Sequence, residues 1–347
     1  MYAMVFHGPG KIAWEEVPDP VLARGTDVIV RVDAVTICGT DLHILKGDVP
    51  EVTPGQILGH EAVGTVTEIG SAVQTLQIGD RVLISCISAC GTCRFCREAR
   101  YGQCIGGGGW ILGHLIDGTQ AELVRVPFAD TSTYRIPAGL TDEQMLMMAD
   151  ILPTSYEVGV RNGRVTPGDV VVIIGAGPIG LAAVLTAQLY SPSQIIVVDI
   201  ADSRLEAAHK LGATTVINSR TTDVRGVVAA RTGGLGADVA MEAVGIPETF
   251  ELAVDLVRPG GHIANIGVHG APAVLHLEKV WIRDLTITTG LVDTSSTPTL
   301  IRLVQSGQLD PTRLITARFG LHEFPAAYDE FTRAQETGAL KVVISRT

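Results

Sequence analysis

The chain has 347 residues, 46% of them hydrophobic, and a formal net charge of −11. That length suits two domains with sizeable cores, and the acidic balance argues against nucleic acid or an anionic membrane as a partner. The opening stretch Met1 to Trp14 alternates like a strand and lacks the basic start and apolar run of a signal peptide, so a cytoplasmic protein is expected.

Residues 1 to about 150 read as mostly β. Asp27 to Val35 alternates, with valine and isoleucine on one face and charges on the other. Ala62 to Ile69, Arg81 to Ile84 and Ala121 to Val126 are further short strands, separated by turns such as Gly8-Pro9-Gly10, Pro54-Gly55 and Gly79-Asp80. A compact β-barrel-like domain is expected, with polar residues on its loops. Cys38-Gly39-Thr40-Asp41-Leu42-His43 follows one strand, and Gly59-His60-Glu61 precedes the next. Asp150 lies among Met145, Met147, Met148 and Ile151, where a carboxylate needs a cation or hydrogen bonds. Taken singly, these residues have ordinary explanations: a small buried thiol, a hydrogen-bonded histidine. Together Cys, His and carboxylate offer the three protein ligands of a catalytic zinc, with one position open for substrate.

Cys90-x2-Cys93-x2-Cys96-x7-Cys104 sets four thiolates on one glycine-rich loop and suits a closed structural zinc. A disulfide pair is the alternative, disfavoured in a reducing compartment. An iron–sulfur run differs in its last spacing and its proline. Arg94, Arg97 and Arg100 would fit a nucleic-acid-binding zinc module, but the net charge opposes it. Cys86 is left over as an apolar filler.

From about Leu152 the pattern becomes α/β. Val170 to Ile174 is a β-branched run meeting Gly175-Ala176-Gly177-Pro178-Ile179-Gly180; an Ala/Leu-rich helix follows, then Ile195 to Val198, ending at Asp199. Strand, glycine turn, helix, strand, acid is the order of a dinucleotide site. Asp199 stands 24 residues after Gly175, near the offset at which an acid meets a ribose 2′-hydroxyl. The stretch Val170 to Val198 carries no charge and would pass for a transmembrane helix, but its glycines and prolines divide it. Next come a helix over Ala201 to Leu211 capped by Gly212, strands at Thr214 to Ile217 and Asp238 to Glu242, and a helix over Phe250 to Val257 stopped by Pro259-Gly260-Gly261. His262 to Gly267 is again a strand, and Leu285 to Thr289 is either internal or pairs across a subunit edge. This alternation predicts a parallel sheet between helices. Leu300 to Val304, Phe324 to Gln335 and the strand Lys341 to Ile344 form a tail that returns to the first domain.

With these motifs the chain resembles the zinc-dependent medium-chain alcohol dehydrogenases over essentially its whole length. The resemblance implies an α/β protein in which a GroES-like β-barrel catalytic domain (1–152 and 291–347) surrounds a doubly wound Rossmann domain (153–290). It implies a catalytic zinc on Cys38, His60 and Asp150, with Glu61 as an exchanging ligand. A structural zinc on Cys90, Cys93, Cys96 and Cys104 makes two per chain. Thr40 matches the hydroxyl that bonds the substrate oxygen, and His43 the outer relay histidine. Gly175, Gly177, Pro178, Ile179, Gly180, Asp199 and Arg204 match the NAD site, and Thr154 and Lys341 match positions near the nicotinamide and phosphates. Trp110 matches a substrate-pocket tryptophan of the bacterial secondary-alcohol branch, with Ile87 and Leu291 beside it. NADP-selective members of that branch carry glycine and a nearby base in place of Asp199, which favours NAD here, and often lack the four cysteines. The expected reaction is reversible hydride transfer between a secondary alcohol and NAD, in a homotetramer or homodimer. Primary-alcohol, aldehyde or polyol dehydrogenases share the same motifs, and a catalytically silent dinucleotide-binding homologue is the reading from a different class.

Overall fold

Glycine turns and β-branched runs divide the N-terminal half into short strands. The computed structural model describes residues 1–346. Met1 to Trp14 is not one strand: the Gly8-Pro9-Gly10 turn folds it into an antiparallel hairpin of β1 (Tyr2–Phe6) and β2 (Ile12–Glu16). Next come β3 (Val28–Thr36), α1 (Gly39–Lys46), β4 (Ala62–Ile69), β5 (Arg81–Ile84), β6 (Leu123–Val126) and β7 (Thr133–Arg135). The alternating valines of β3 all face inward: Val28, Val30 and Val32 are fully buried while Arg31 is exposed.

The second half is built of parallel strands: β8 (Val170–Ile174), β9 (Gln194–Asp199), β10 (Thr215–Asn218), β11 (Ala237–Glu242), β12 (Val257–Asn265) and β13 (Thr286–Thr289). Between them run α2 (Pro178–Ala187), α3 (Asp202–Leu211), α4 (Val224–Arg231) and α5 (Pro247–Leu256). The strand order β10-β9-β8-β11-β12-β13 reverses between β8 and β11, which opens a crevice at the C-terminal strand ends. The helix expected over Phe250 to Val257 starts earlier and ends at Leu256, because Val257 already pairs with Ala237 in the sheet. Pro259, Gly260 and Gly261 therefore lie inside β12, where the register shifts, instead of ending a helix. β13 is the outer strand of this sheet.

The chain then forms α6 (Thr297–Gln305), β14 (Ile315–Gly320), α7 (Phe324–Thr332) and β15 (Lys341–Ser345). β15 pairs with β3 and extends the first sheet to the order β14-β15-β3-β4-β5-β7, with β6 also on β3. Phe324, Tyr328 and Phe331 of α7 pack into the same core as Val30, Val32 and Ile84. Two compact units result: Met1–Pro153 together with the chain from Val292 on, and Thr154–Leu291. Among the described residues, no helix is long and apolar enough to cross a membrane.

Candidate active site and metal centres

Three distant segments of the first unit converge on one cluster. Cys38 ends the β3 connection and caps α1: its N–H donates to Asp41 Oδ2 at 2.8 Å, satisfying one free donor of the first turn. His60 follows Gly59, whose left-handed φ of +95° turns the chain into β4. Asp150 closes the turn between the short helices Asp142–Leu146 and Ile151–Thr154, held by a bond from Cys86 N to Ala149 O. One ligand atom each of Cys38, His60, Glu61 and Asp150 fall within 4.8 Å of one another. His60 Nε2 lies 3.4 Å and Cys38 Sγ 3.9 Å from Asp150 Oδ2. Vertices of a zinc tetrahedron with bonds of about 2.0–2.3 Å are about 3.3–3.5 Å apart, so the donor set fits zinc with a slight contraction.

The acids of this cluster shift in ways that a cation among them would relieve. Burial pushes the Cys38 thiol up, as does the Glu61 carboxylate. Burial would lower the His60 imidazole, but hydrogen bonds to Asp150 and Cys38 overcome it and hold it well above the usual histidine range. Glu61, 1% exposed, is raised by burial and by Asp150, against the pull of Lys341. Lys341 lies buried with Nζ 2.7 and 3.0 Å from the Glu61 oxygens and 3.3 Å from Ile37 O. Burial works against its charge too, yet Glu61 and Cys38 keep it protonated above the ordinary lysine value. Both partners titrate upward for different reasons: Glu61 chiefly because it is buried, Lys341 because the acids around it outweigh its burial. Lys341, expected near the nicotinamide and phosphates, pairs with Glu61 within this unit. Thr40 Oγ1 is 3.7 Å from Cys38 Sγ. His43, one turn along α1, is exposed and bonds Asp48 Oδ2 through Nδ1 at 2.9 Å. The Trp110 ring meets His60 edge-on at 6.4 Å and packs with Ile87, Val292 and the buried Cys86.

The four-cysteine loop forms the second cluster. Cys90 and Cys96 sulfurs are 3.9 Å apart, and Cys93 and Cys104 sulfurs 4.0 Å, close to the edge of about 3.8 Å expected for four thiolates on zinc. A side chain at Gly106 would collide with Cys90 Sγ, so the sulfur cage depends on that glycine. Burial raises Cys90, but backbone N–H bonds from Thr92 and Cys93 prevail and bring its thiol down to about 6. Burial and the neighbouring Cys93 push Cys96 up to about 12. Ready thiolates and reluctant ones in one cage suit a dication that displaces the remaining protons.

In the second unit the glycines of the β8–α2 turn serve different ends. Gly175 has φ +101°, and a Cβ there would meet Val244 Cγ2 at 2.7 Å. A Cβ at Gly180 would strike the Gly175 carbonyl, so α2 packs on β8 only through glycine. Gly177 faces open space at the N-terminus of α2, the room a pyrophosphate requires, and Pro178 starts the helix. Ile179 continues its first turn. Asp199, at the end of β9, accepts from Ala176 N at 2.7 Å and from Ile200 and Ala201 N at 2.7 and 2.9 Å. It anchors the glycine turn as well as ending the strand. Arg204, in the first turn of α3, has a buried Nε without a partner. Thr154 ends the helix that begins at Ile151.

Sequence reasoning passed over Asp41, Gln120, Tyr328 and His114. His114 stacks on Trp110 with centroids 4.0 Å apart and bonds its carbonyl at 2.9 Å. The legible signal for Lys341 was a lone cation inside the apolar run Leu340 to Ile344, which implies a buried counter-charge.

Residues 24–138 match the alcohol dehydrogenase GroES-like domain and residues 178–306 the zinc-binding dehydrogenase domain. An alcohol dehydrogenase from Cupriavidus necator is 39% identical over 99% of this chain and 98% of its own length. The apo form of zinc-dependent alcohol dehydrogenase 2 from Streptococcus pneumonia superposes with a TM-score of 0.95 at 47% identity, covering 100% of this chain and 98% of that one. An Escherichia coli CFT073 alcohol dehydrogenase complexed with NADH does so at 0.89 and 27%, covering 99% of each chain. The chain belongs to the zinc-dependent medium-chain alcohol dehydrogenases.

Proposed function

We propose that the protein reversibly oxidises secondary alcohols to ketones with NAD, using a zinc held by Cys38, His60 and Asp150. The observation that carries this reading is the convergence of those three donors beside Thr40 and the Trp110 edge. A zinc ion there supplies Lewis-acid polarisation of the substrate oxygen, and NAD supplies the hydride acceptor. Thr40 Oγ1 would accept the alcohol proton while passing its own hydroxyl proton on toward the cofactor ribose and His43. His43, exposed on the same helix, passes it to solvent. Asp48 holds the His43 ring by its Nδ1. Glu61, paired with Lys341, keeps a carboxylate at the edge of the ligand set for exchange at the metal. Trp110, Ile87 and Val292 line an apolar wall that favours alkyl groups over polyol hydroxyls.

Gly175, Gly177 and Gly180 admit the NAD pyrophosphate, and Asp199 meets the adenosine ribose, where its charge repels a 2′-phosphate. Arg204, in the first turn of α3, follows Asp199 by five residues and would lie on the same side of the site. The cage of Cys90, Cys93, Cys96 and Cys104 would hold the structural zinc. The test is a panel of primary alcohols, secondary alcohols and polyols, each with NAD and NADP, on protein whose zinc content is measured. The highest kcat/KM on a secondary alcohol with NAD, at about two zinc ions per chain, supports the reading. Turnover only of polyols, or a preference for NADP, refutes it.

A further inference from the structure

Three buried polar side chains from segments far apart in the chain form a line that ends at the metal cluster. Tyr328, on α7, donates its hydroxyl to Gln120 Oε1 at 2.7 Å. Gln120 Nε2 donates to Asp41 Oδ2 at 3.0 Å, and the same oxygen accepts the Cys38 N–H at 2.8 Å. Only one orientation of the amide serves both neighbours, because a carboxylate can only accept. Asp41, Gln120 and Tyr328 are exposed by 1%, 0% and 4%. A side chain needed only to fill this space would be apolar, since burying an amide costs free energy unless both its ends are paired.

Gln120 also reaches the other ligand. Its N–H donates to Leu58 O at 2.9 Å, and the N–H of Thr119 donates to Gly59 O at 2.9 Å. A Cβ on Gly59 would stand 2.5 Å from Gln120 Cγ and 2.9 Å from Gln120 N. The backbone immediately before His60 is therefore moulded on Gln120, while the backbone N–H of Cys38 is held through Asp41. One residue grips both arms of the cluster.

We propose that Gln120 and Tyr328 are positioning residues of the catalytic metal site, Gln120 fixing the Cys38 and His60 arms relative to each other and Tyr328 fixing Gln120. The inference rests on the reading that Cys38, His60 and Asp150 hold zinc. Neither residue touches the metal; they act by keeping two donors at tetrahedral spacing. Outer partners of metal ligands typically change metal affinity by about 10–100-fold. Gln120→Leu removes both hydrogen bonds, and Tyr328→Phe removes only the hydroxyl.

The experiment follows zinc release from the holoenzyme into a chromogenic chelator, with thermal unfolding recorded alongside. The Cys38→Ala variant identifies which of two release phases belongs to the catalytic site. The four-cysteine zinc serves as the internal reference. Gln120→Leu is expected to loosen the catalytic zinc by about 10–100-fold and leave the other zinc unchanged. Tyr328→Phe should act in the same direction by a smaller factor. If Gln120→Leu does not fold, Tyr328→Phe decides. Release from both variants at the wild-type rate overturns the proposal. So does equal loosening of both zinc ions together with a lower melting temperature, which would mark a purely structural role. A wild-type protein carrying only the four-cysteine zinc would overturn the metal reading itself, and this inference with it.

Discussion

Replacing Lys341 by methionine tests whether the buried Lys341–Glu61 pair sustains the first unit. Methionine approximates the volume of the lysine stem, so the change removes the ammonium with little loss of packing. Glu61 is then left 1% exposed, beside Asp150 and Cys38, without the cation that lies 2.7 Å from it. Removing one member of a buried pair typically costs about 3–5 kcal/mol, because the remaining charge is uncompensated. The double variant Lys341→Met with Glu61→Gln should recover most of that loss, as the charge to be compensated is gone. Without Lys341, burial and Asp150 raise Glu61 further above its unfolded value. A carboxyl raised in the folded state binds its proton more tightly when folded, so stability is greatest below the unfolded value and falls as pH rises through the folded one. The penalty of the single variant should therefore shrink on acidification. Urea unfolding of zinc-free protein at neutral and mildly acidic pH, run as a double-mutant cycle, measures it. A single-variant cost below about 1 kcal/mol at neutral pH would refute the reasoning, as would strict additivity of the two substitutions.

The other expectations concern cofactor choice, the pocket wall and the surface. Asp199→Asn should lower the ratio of kcat/KM for NAD over NADP by about tenfold or more, equivalent to about 1.4 kcal/mol, while keeping an acceptor for the Ala176 N–H. An unchanged ratio would reduce Asp199 to an anchor of the turn. His114→Ala removes the ring stacked on Trp110, a contact worth about 0.5–1.5 kcal/mol, and should shift KM among alcohols of different bulk by about 2–10-fold at similar kcat. Equal effects on every alcohol would detach His114 from the wall. Glu143 is held below its usual carboxyl value by Arg318, against some burial. A depressed carboxyl stabilises the fold above its unfolded value and loses that contribution as pH falls through the folded value. Arg318→Ala should thus flatten acid unfolding slightly, by no more than about 1 kcal/mol for so exposed a pair, and an unchanged acid profile would count against the pair.

What was legible in the sequence was whatever is local. The strands at Val28–Thr36, Ala62–Ile69 and Val170–Ile174 announce themselves by β-branched runs that a pleated sheet buries. The four-cysteine loop could be read because its donors are near neighbours in the chain, and the glycine turn because its three glycines fall within six consecutive residues between a strand and a helix. The tail from Leu291 gave few signals: β14 is only half buried, and its pairing with β15 joins residues 25 or 26 positions apart. The partner of Lys341 could not be read, since Glu61 lies 280 residues away. The same holds for the Tyr328–Gln120–Asp41 line, whose members are joined only once α7 packs on the sheet.

The two candidate metal clusters differ in the way the tasks proposed for them would require. A structural site needs only to close, and one loop can supply four thiolates with glycines cleared out of the way of the sulfurs. A catalytic site must leave a position open, so it cannot be held by its ligands alone and its geometry has to come from outside. Here Cys38 is fixed by a helix cap, His60 by a left-handed glycine packed on Gln120, and Asp150 by a turn bonded to Cys86. Lys341 offsets one of the surplus acids that would otherwise repel one another in the pocket. The ligands of such a site are therefore scattered along the chain, and the residues that hold them belong to the core of the first unit. Its chemistry and its stability consequently share side chains. A substitution such as Lys341→Met reports on the fold and on the metal together, and only the paired variant and the metal-free measurement separate the two.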